Sequence, residues 1–438
     1  MNPKLSKRFR QGDGLFVVYL NNEKEGRKVL GRSGSRGRKS FSFFKDALMT
    51  GYHLIEDQAG LDAFASQNKG IEWMCFDTEF VGEKRFFTRL CLMQVATRFG
   101  NYLIDPFPIS DLGPVLRMIQ DPAIVKVTHA GENDYRLLFG LYGILPANVF
   151  DTQIAAGFMG FKYPVSFKRL VEAELRVNLK KGYTVADWES RPFKTTQLEY
   201  ALEDVLPLHP LWEVQQEKLR QLGHLSWAME EFRELEKEGY YAKDPFHEAL
   251  HSQLMRSLNK KEQVFLLRLF EWRKLQAQKR NHSREMVLSS KLIPHIVKGI
   301  RSGKEALLDN RRVPSKLIHD HWGIFEDLFQ APPTTDEKRL LKRIQGEEED
   351  NPREEILIEL LYLIVRHHCL DSGISSNIAL PRNLLRKIQE EPAQAKEFFG
   401  KGWRSELFGV RFAQWFEEFQ RMDIHILDNR IELRLDHD

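Results

Sequence analysis

Between residues 52 and 205 the apolar positions follow two alternating rhythms. Short runs rich in aromatic and β-branched residues give way to stretches where apolar side chains recur every three or four positions. That alternation predicts strands and helices building a mixed sheet flanked by helices. Cys75-Phe76-Asp77-Thr78-Glu79-Phe80 reads as a buried strand carrying two acids. Arg98-Phe99-Gly100-Asn101, between Leu90–Ala96 and Tyr102–Ile104, predicts a hairpin. Val125-Lys126-Val127-Thr128-His129 predicts a further strand, Ala130–Leu138 a helix after it, and Gln197–Val205 another helix. After about residue 218 strand signals fade and the remaining chain reads as helical, with amphipathic spacing through Val264–Lys274.

The acids make this pattern chemical. Side chains on a strand alternate faces, so Asp77 and Glu79 project the same way and can meet one divalent cation. Buried carboxylates need such a compensating charge. Asp134 sits in the first turns of its predicted helix, and Tyr200 and Asp204 share a helix face at i and i+4. Taken singly, Asp134 reads as a solvated acid near a helix N-terminus and Tyr200 as an amphipathic core residue. Their joint occurrence, in order, lifts them above those readings.

The three segments resemble the DEDDy class of 3′–5′ exonucleases, and the sequence around them resembles the ribonuclease D family. Asp77 and Glu79 match the first exonuclease motif, Asp134 the second, and Tyr200 with Asp204 the third. Arg89–Val95, Phe150-Asp151-Thr152 and Asp187-Trp188-Glu189-Ser190-Arg191-Pro192 match the flanking sequence. The resemblance implies an α/β ribonuclease H-like exonuclease domain followed by two all-α HRDC-like domains. It also implies two divalent metal ions, Mg²⁺ or Mn²⁺, held by Asp77, Glu79, Asp134 and Asp204. Asp77 would bridge both ions, Glu79 and Asp204 would complete the site of the nucleophilic water, and Asp134 would hold the second ion through water. Tyr200 would orient or deprotonate the attacking water. Two cations roughly 3.5–4 Å apart relieve charge on the attacking and leaving oxygens of a phosphodiester, and carboxylates suit such hard ions. The activity implied is 3′–5′ exoribonuclease action on structured RNA ends, with tRNA precursors as the leading partner and no obligate protein partner. A 3′–5′ DNA exonuclease of repair and an inactive nucleic-acid-binding scaffold are the alternatives; the intact set of five residues argues against the scaffold.

Composition sets bounds around this site. At 438 residues, 42% hydrophobic and 29% charged, the chain fits a soluble globular protein of several domains. No apolar stretch approaches the roughly 18–20 residues a membrane span needs, and no apolar leader opens the chain, so a cytoplasmic location is expected. Cys75, Cys91 and Cys369 lack metal-ligand spacing and read as reduced core thiols. Charge is segregated: residues 1–50 carry +8, 51–245 carry −7, 246–330 carry +7 and 331–438 carry −5. An acidic catalytic region that binds a polyanion needs metals and basic neighbours.

The expected organisation is a basic flexible arm (1–50, with Gly31–Lys39 at its centre), the exonuclease domain (51–220) and a helical linker (221–245). An HRDC domain (246–330), an acidic, proline-containing linker (331–352) and a second HRDC-like helical domain (353–438) follow. The −5 charge argues against a broad phosphate-binding surface and suits that last segment to packing against the exonuclease domain or to shaping an entry ring. Candidate RNA contacts are His129 and the basic residues Arg268, Arg273, Lys274, Lys279 and Arg280. Asp151 is read as structural.

Overall fold

The computed structural model describes residues 15–19, 51–179, 187–242, 246–250, 252–342, 352–381, 384, 397–408, 422–427 and 430–435. In chain order the first strands are β1 (Leu15–Tyr19), β2 (His53–Ile55), β3 (Trp73–Val81), β4 (Arg89–Thr97), β5 (Gly100–Ile104), β6 (Val125–Thr128) and β7 (Val149–Asp151). Strands β2 to β7 form one mixed sheet in the order β2-β5-β4-β3-β6-β7. The expected hairpin is there as β4 and β5, antiparallel to each other, with β4 also antiparallel to β3; β6 and β7 continue the sheet parallel to β3, and β2 runs parallel to β5.

Helices cover both faces. On one lie α1 (Gln58–Gln67), α2 (Gly113–Gln120) and α3 (Glu132–Tyr142), whose Leu61, Phe64, Val115, Ile119, Tyr135 and Leu138 bury Met74 and Phe76 of β3. Among the helices that follow are α4 (Thr152–Gly157), α5 (Phe167–Leu175), α6 (Thr195–Val205), α7 (Leu208–Leu222) and α8 (Leu225–Glu234). Cys75 packs with Val205 and Leu208 on the opposite face from Met74 and Phe76. Strand parity therefore places Asp77 and Glu79 on the α6 face and Thr78 on the α3 face.

After residue 246 the described segments are mainly helical. The longest helix there, α9 (Lys260–Arg280), packs on α10 (Ser315–Gln330) around Phe265, Leu269, Trp272 and Phe325. A short α11 (Thr335–Leu341) interrupts the acidic stretch. Then α12 (Pro352–Asp371) and α13 (Gly402–Phe408) bring Ile364, Val365 and Trp403 against Phe150, Phe158 and Phe232. Packing of the C-terminal helices against the sheet domain is therefore observed. It is reinforced where Trp403 donates its backbone and indole N–H to Glu230 and Glu231, at 2.9 and 2.8 Å.

The helical reading fails at the chain's end. Residues Met422–Leu427 (β8) and Arg430–Leu435 (β9) form an antiparallel hairpin, and β1 adds a third strand to it. Ile424, Ile426, Ile431, Leu433 and Leu435 alternate with polar residues at period two, a strand pattern, and a turn-prone Asp428-Asn429 pair separates the runs. The same pairing corrects part of the expected flexible arm, since Leu15–Tyr19 is a continuous apolar run suited to a strand. The rest of the arm, Gly31–Lys39 included, lies outside the described residues. All three cysteines are buried and free, and no described helix is long and apolar enough to cross a membrane.

Candidate active site

Strand β3 outruns its neighbour. Its parallel register with β6 ends at Cys75 opposite Val127, whereas its pairing with β4 runs on to Val81 opposite Arg89, with a register shift between Glu79 and Phe80. Asp77 and Glu79 thus stand where only β4 flanks β3. From α6, whose Leu198, Ala201, Leu202 and Val205 are buried, Asp204 reaches the same place. Asp77, Glu79 and Asp204 each bring a carboxylate oxygen within 4.8 Å of the other two.

Asp134 stands beside this trio. Its carboxylate accepts hydrogen bonds from the hydroxyl and backbone N–H of Thr78. The start of α3 lies close against β6 at Gly131, where a Cβ would fall 2.6 Å from the Thr128 hydroxyl. Gly131 also donates its N–H to Asp151 at 2.8 Å, while Asp151 caps α4 through Gln153 and Ile154. Asp151 therefore ties β7, α3 and α4 together, the structural role read from the sequence.

The electrostatics are those of a crowded anionic site. Burial, then the carboxylates of Asp134, Asp204 and Glu79, push Asp77 well above its ordinary range. Burial and then Asp204 and Asp134 raise Glu79 to about 8. Burial raises Asp134 to about 7 against the hydrogen bonds from Thr78, and raises Asp204 to about 7 against the one from Tyr200. Every charge that acts on Asp77 and Glu79 here is another carboxylate. A divalent cation is the partner such a set lacks, and its all-oxygen donors suit Mg²⁺ or Mn²⁺. The Tyr200 phenol is also pushed up, by burial first and then Asp204, Glu79 and Asp77.

Two supports were not identified from sequence. Thr78 lies between the strand acids, and only the fold shows that its hydroxyl turns to Asp134. Arg191 grips Asp105 through two nitrogens, donates to the Cys91 carbonyl at 2.9 Å, and lies between the rings of Phe107 and Phe193 at 4.2 and 3.7 Å. It anchors the segment leading into α6 to the β4–β5 side of the sheet. The arginine inside the 187–192 match was the available signal.

The RNA-contact candidates separate. His129 has both ring nitrogens engaged, with the Thr152 hydroxyl at 3.0 Å and the Val165 carbonyl at 3.2 Å, so it is a hydrogen-bonded strand-end histidine. Arg268 is buried: it forks onto Glu337 and donates to the carbonyls of Leu328, Ala331 and Pro332, closing the end of α10. Arg273 is 1% exposed and held by Glu248, Glu285, Ser290 and the Arg284 carbonyl. These two arginines are removed from the phosphate-contacting face, because each guanidinium is already spent on protein acceptors. Lys274, Lys279 and Arg280 are exposed.

Comparison with known proteins follows the same outline. Residues 52–220 match a family model described as 3′–5′ exonuclease. Ribonuclease D of Gluconacetobacter diazotrophicus is 28% identical over 341 residues, covering 77% of this chain and 86% of that protein. Ribonuclease D of Sphingobium indicum is 34% identical over 247 residues, covering 56% and 63%. Among solved structures, Escherichia coli RNase D, described as an exoribonuclease involved in structured RNA processing, superposes with a TM-score of 0.75 at 23% identity. That match covers 84% of this chain and 99% of the other and establishes likeness of fold.

Proposed function

Because this chain belongs to the ribonuclease D family and is a 3′–5′ exoribonuclease, we propose that it shortens structured RNAs from their 3′ ends, tRNA precursors foremost, through the carboxylate site described above. The observation that carries this reading is the meeting of Asp77, Glu79 and Asp204 within 4.8 Å, with Asp134 adjacent and only other carboxylates acting on the strand pair.

Asp77, Glu79, Asp134 and Asp204 would hold two divalent ions, Mg²⁺ or Mn²⁺. When bound, such ions supply Lewis-acid activation of water and relief of charge on the scissile phosphate. The chain's own groups do the rest. Thr78 fixes the Asp134 carboxylate from the far face of β3. Tyr200 donates a hydrogen bond to Asp204, and burial first, then the carboxylates of Asp204, Glu79 and Asp77, disfavours its phenolate in the metal-free chain. It would therefore orient the attacking water rather than deprotonate it.

We assign residues 246–330 to an HRDC domain, with Lys274, Lys279 and Arg280 as its phosphate-facing residues, and the helices after residue 352 to a second, HRDC-like unit. A cytoplasmic site of action belongs to the same reading. The experiment is degradation of a 5′-labelled tRNA precursor and a matched DNA with Mg²⁺ or Mn²⁺. A ladder shortening by single nucleotides from the RNA 3′ end is expected. Internal cuts, or equal degradation of the DNA, would contradict the assignment.

A further inference from the structure

Between Leu90 and Ala96 the buried side chains of β4 are apolar or thiol except at Gln94, which is 0% exposed. Among the described residues neither its amide nitrogen nor its amide oxygen has a hydrogen-bond partner. A buried amide unpaired at both ends destabilises a fold. Where a native fold keeps one, a catalytic role or a nearby ion is among the physical reasons.

The sheet register says what lies beside it. Gln94 stands directly opposite Asp77 on β3 and opposite Leu103 on β5. Residues directly opposed on antiparallel strands point to the same face, with Cβ atoms about 4.5–5.5 Å apart, a span that a glutamine side chain covers. Packing agrees with that parity. Leu92 clusters with Leu198, Ala201 and Leu202 of α6, and Ala96 clusters with Val205 of the same helix. Gln94, midway between Leu92 and Ala96, therefore faces α6 together with Asp77 and Glu79. Leu103 is apolar, and the register of β6 on β3 stops at Cys75, so Asp77 is the polar neighbour of Gln94 in its row of the sheet.

A carboxylate has about four lone-pair sites, and metal ions take only some of them. An amide N–H can take another without bringing charge. A lysine or arginine in its place would compete with a cation for Asp77, whereas a neutral donor orients the carboxylate and leaves its charge to the ion. We propose that Gln94 is a positioning residue for the metal-dependent reaction: with Mg²⁺ or Mn²⁺ in place, its amide N–H donates to the Asp77 carboxylate and holds it toward the ions. This assignment rests on the exoribonuclease reading of the carboxylates and adds a support to it. Thr78 steadies Asp134 from the far face of β3, and Gln94 steadies Asp77 from β4.

The test compares the unsubstituted full chain with Gln94→Met, which keeps the length and flexibility of the side chain and removes the donor. Mn²⁺ affinity is measured by calorimetry and the melting temperature is measured in chelator. Gln94→Met should bind Mn²⁺ roughly 10–100-fold more weakly, the usual loss when a group supporting a metal ligand is removed. In chelator it should melt no lower than the unsubstituted chain, because it deletes a buried amide that has no partner there. Mn²⁺ affinity equal to that of the unsubstituted chain would overturn the proposal and make Gln94 a packing residue. If Gln94→Met melts lower or fails to fold, the Gln94 side-chain amide of the unsubstituted chain decides the matter by NMR. Its N–H protons should shift downfield on addition of Mg²⁺ and exchange more slowly with solvent; unmoved signals would overturn the proposal. Failure of the carboxylate reading itself shows separately, as no metal uptake by the unsubstituted chain, and would remove the role of Gln94 with it.

Discussion

The hydroxyl of Thr78 donates to the carboxylate of Asp134, across 56 positions of sequence, and locks the first acidic strand to the helix that supplies the adjacent acid. A valine would keep the β-branched shape and lose the donor. Thr78→Val should weaken metal affinity or activity roughly 10–100-fold, the usual cost of losing a group that orients a metal-binding side chain. Thr78→Ser should retain most of it. Metal titration followed by calorimetry checks both; equal affinities for Val and Ser would remove Thr78 from the site.

The raised carboxyl groups make metal binding pH-dependent. Glu79 moves from 4.5 to about 8, and Asp134 and Asp204 from 3.8 to about 7. Between about pH 4 and 8 the metal-free fold therefore binds more protons at this site than the unfolded chain does, so these groups subtract stability as pH rises through that window. Chelated protein should gain melting temperature on acidification from pH 8 to 5.5 by more than Asp204→Asn does. Metal should stabilise more at pH 8 than at pH 5.5 and displace protons near pH 6.5. Calorimetry in buffers of different ionisation heat reads that release, and zero protons released would contradict the scheme.

Tyr200 donates a hydrogen bond to Asp204, and its proposed task is to position water. Tyr200→Phe should lower the single-turnover rate roughly 10²–10⁴-fold with little change in RNA affinity. If its task is to orient water while keeping its proton, the rate of the unsubstituted chain should show no titration of Tyr200 between pH 7 and 9. A near-normal rate for Tyr200→Phe would make it a packing residue.

Burial divides the basic residues of α9. Arg268→Ala leaves Glu337 and three carbonyls without their donor and should cost about 1–3 kcal/mol of stability, as for acceptors left unsatisfied at a largely buried position. Changing Lys274, Lys279 and Arg280 together to alanine should instead spare the fold and weaken RNA binding. The slope of log affinity against log salt should become shallower by about 0.7–0.9 for each lost phosphate contact. Thermal melts and a salt series separate the two outcomes; an unchanged slope would make these three residues solvated surface.

The sequence revealed the acids better than their supports, for physical reasons. Asp77 with Glu79 and Tyr200 with Asp204 follow the two periodicities of regular structure, so their shared faces can be read directly. Thr78 and Asp134 meet only through the fold, and no local pattern marks such a pair. Arg268 and Arg273 misled because a count of charges carries no information on burial: both lie on a helix whose spacing looked amphipathic. The terminal strands were missed although Ile424, Ile426, Leu433 and Leu435 alternate cleanly, because the helical trend before them was extended to the chain's end. The hairpin at β4 and β5 was legible from local pattern, because its turn residues stand between two apolar runs.

The most direct test of the carboxylate site is single-turnover release of the 3′-terminal nucleotide from one RNA by the unsubstituted chain, Asp77→Ala and Asp204→Ala, each with Mg²⁺ and with chelator. The site as described predicts release only by the unsubstituted chain with metal, with RNA binding largely intact in both variants. Substantial release by Asp77→Ala in chelator would contradict it.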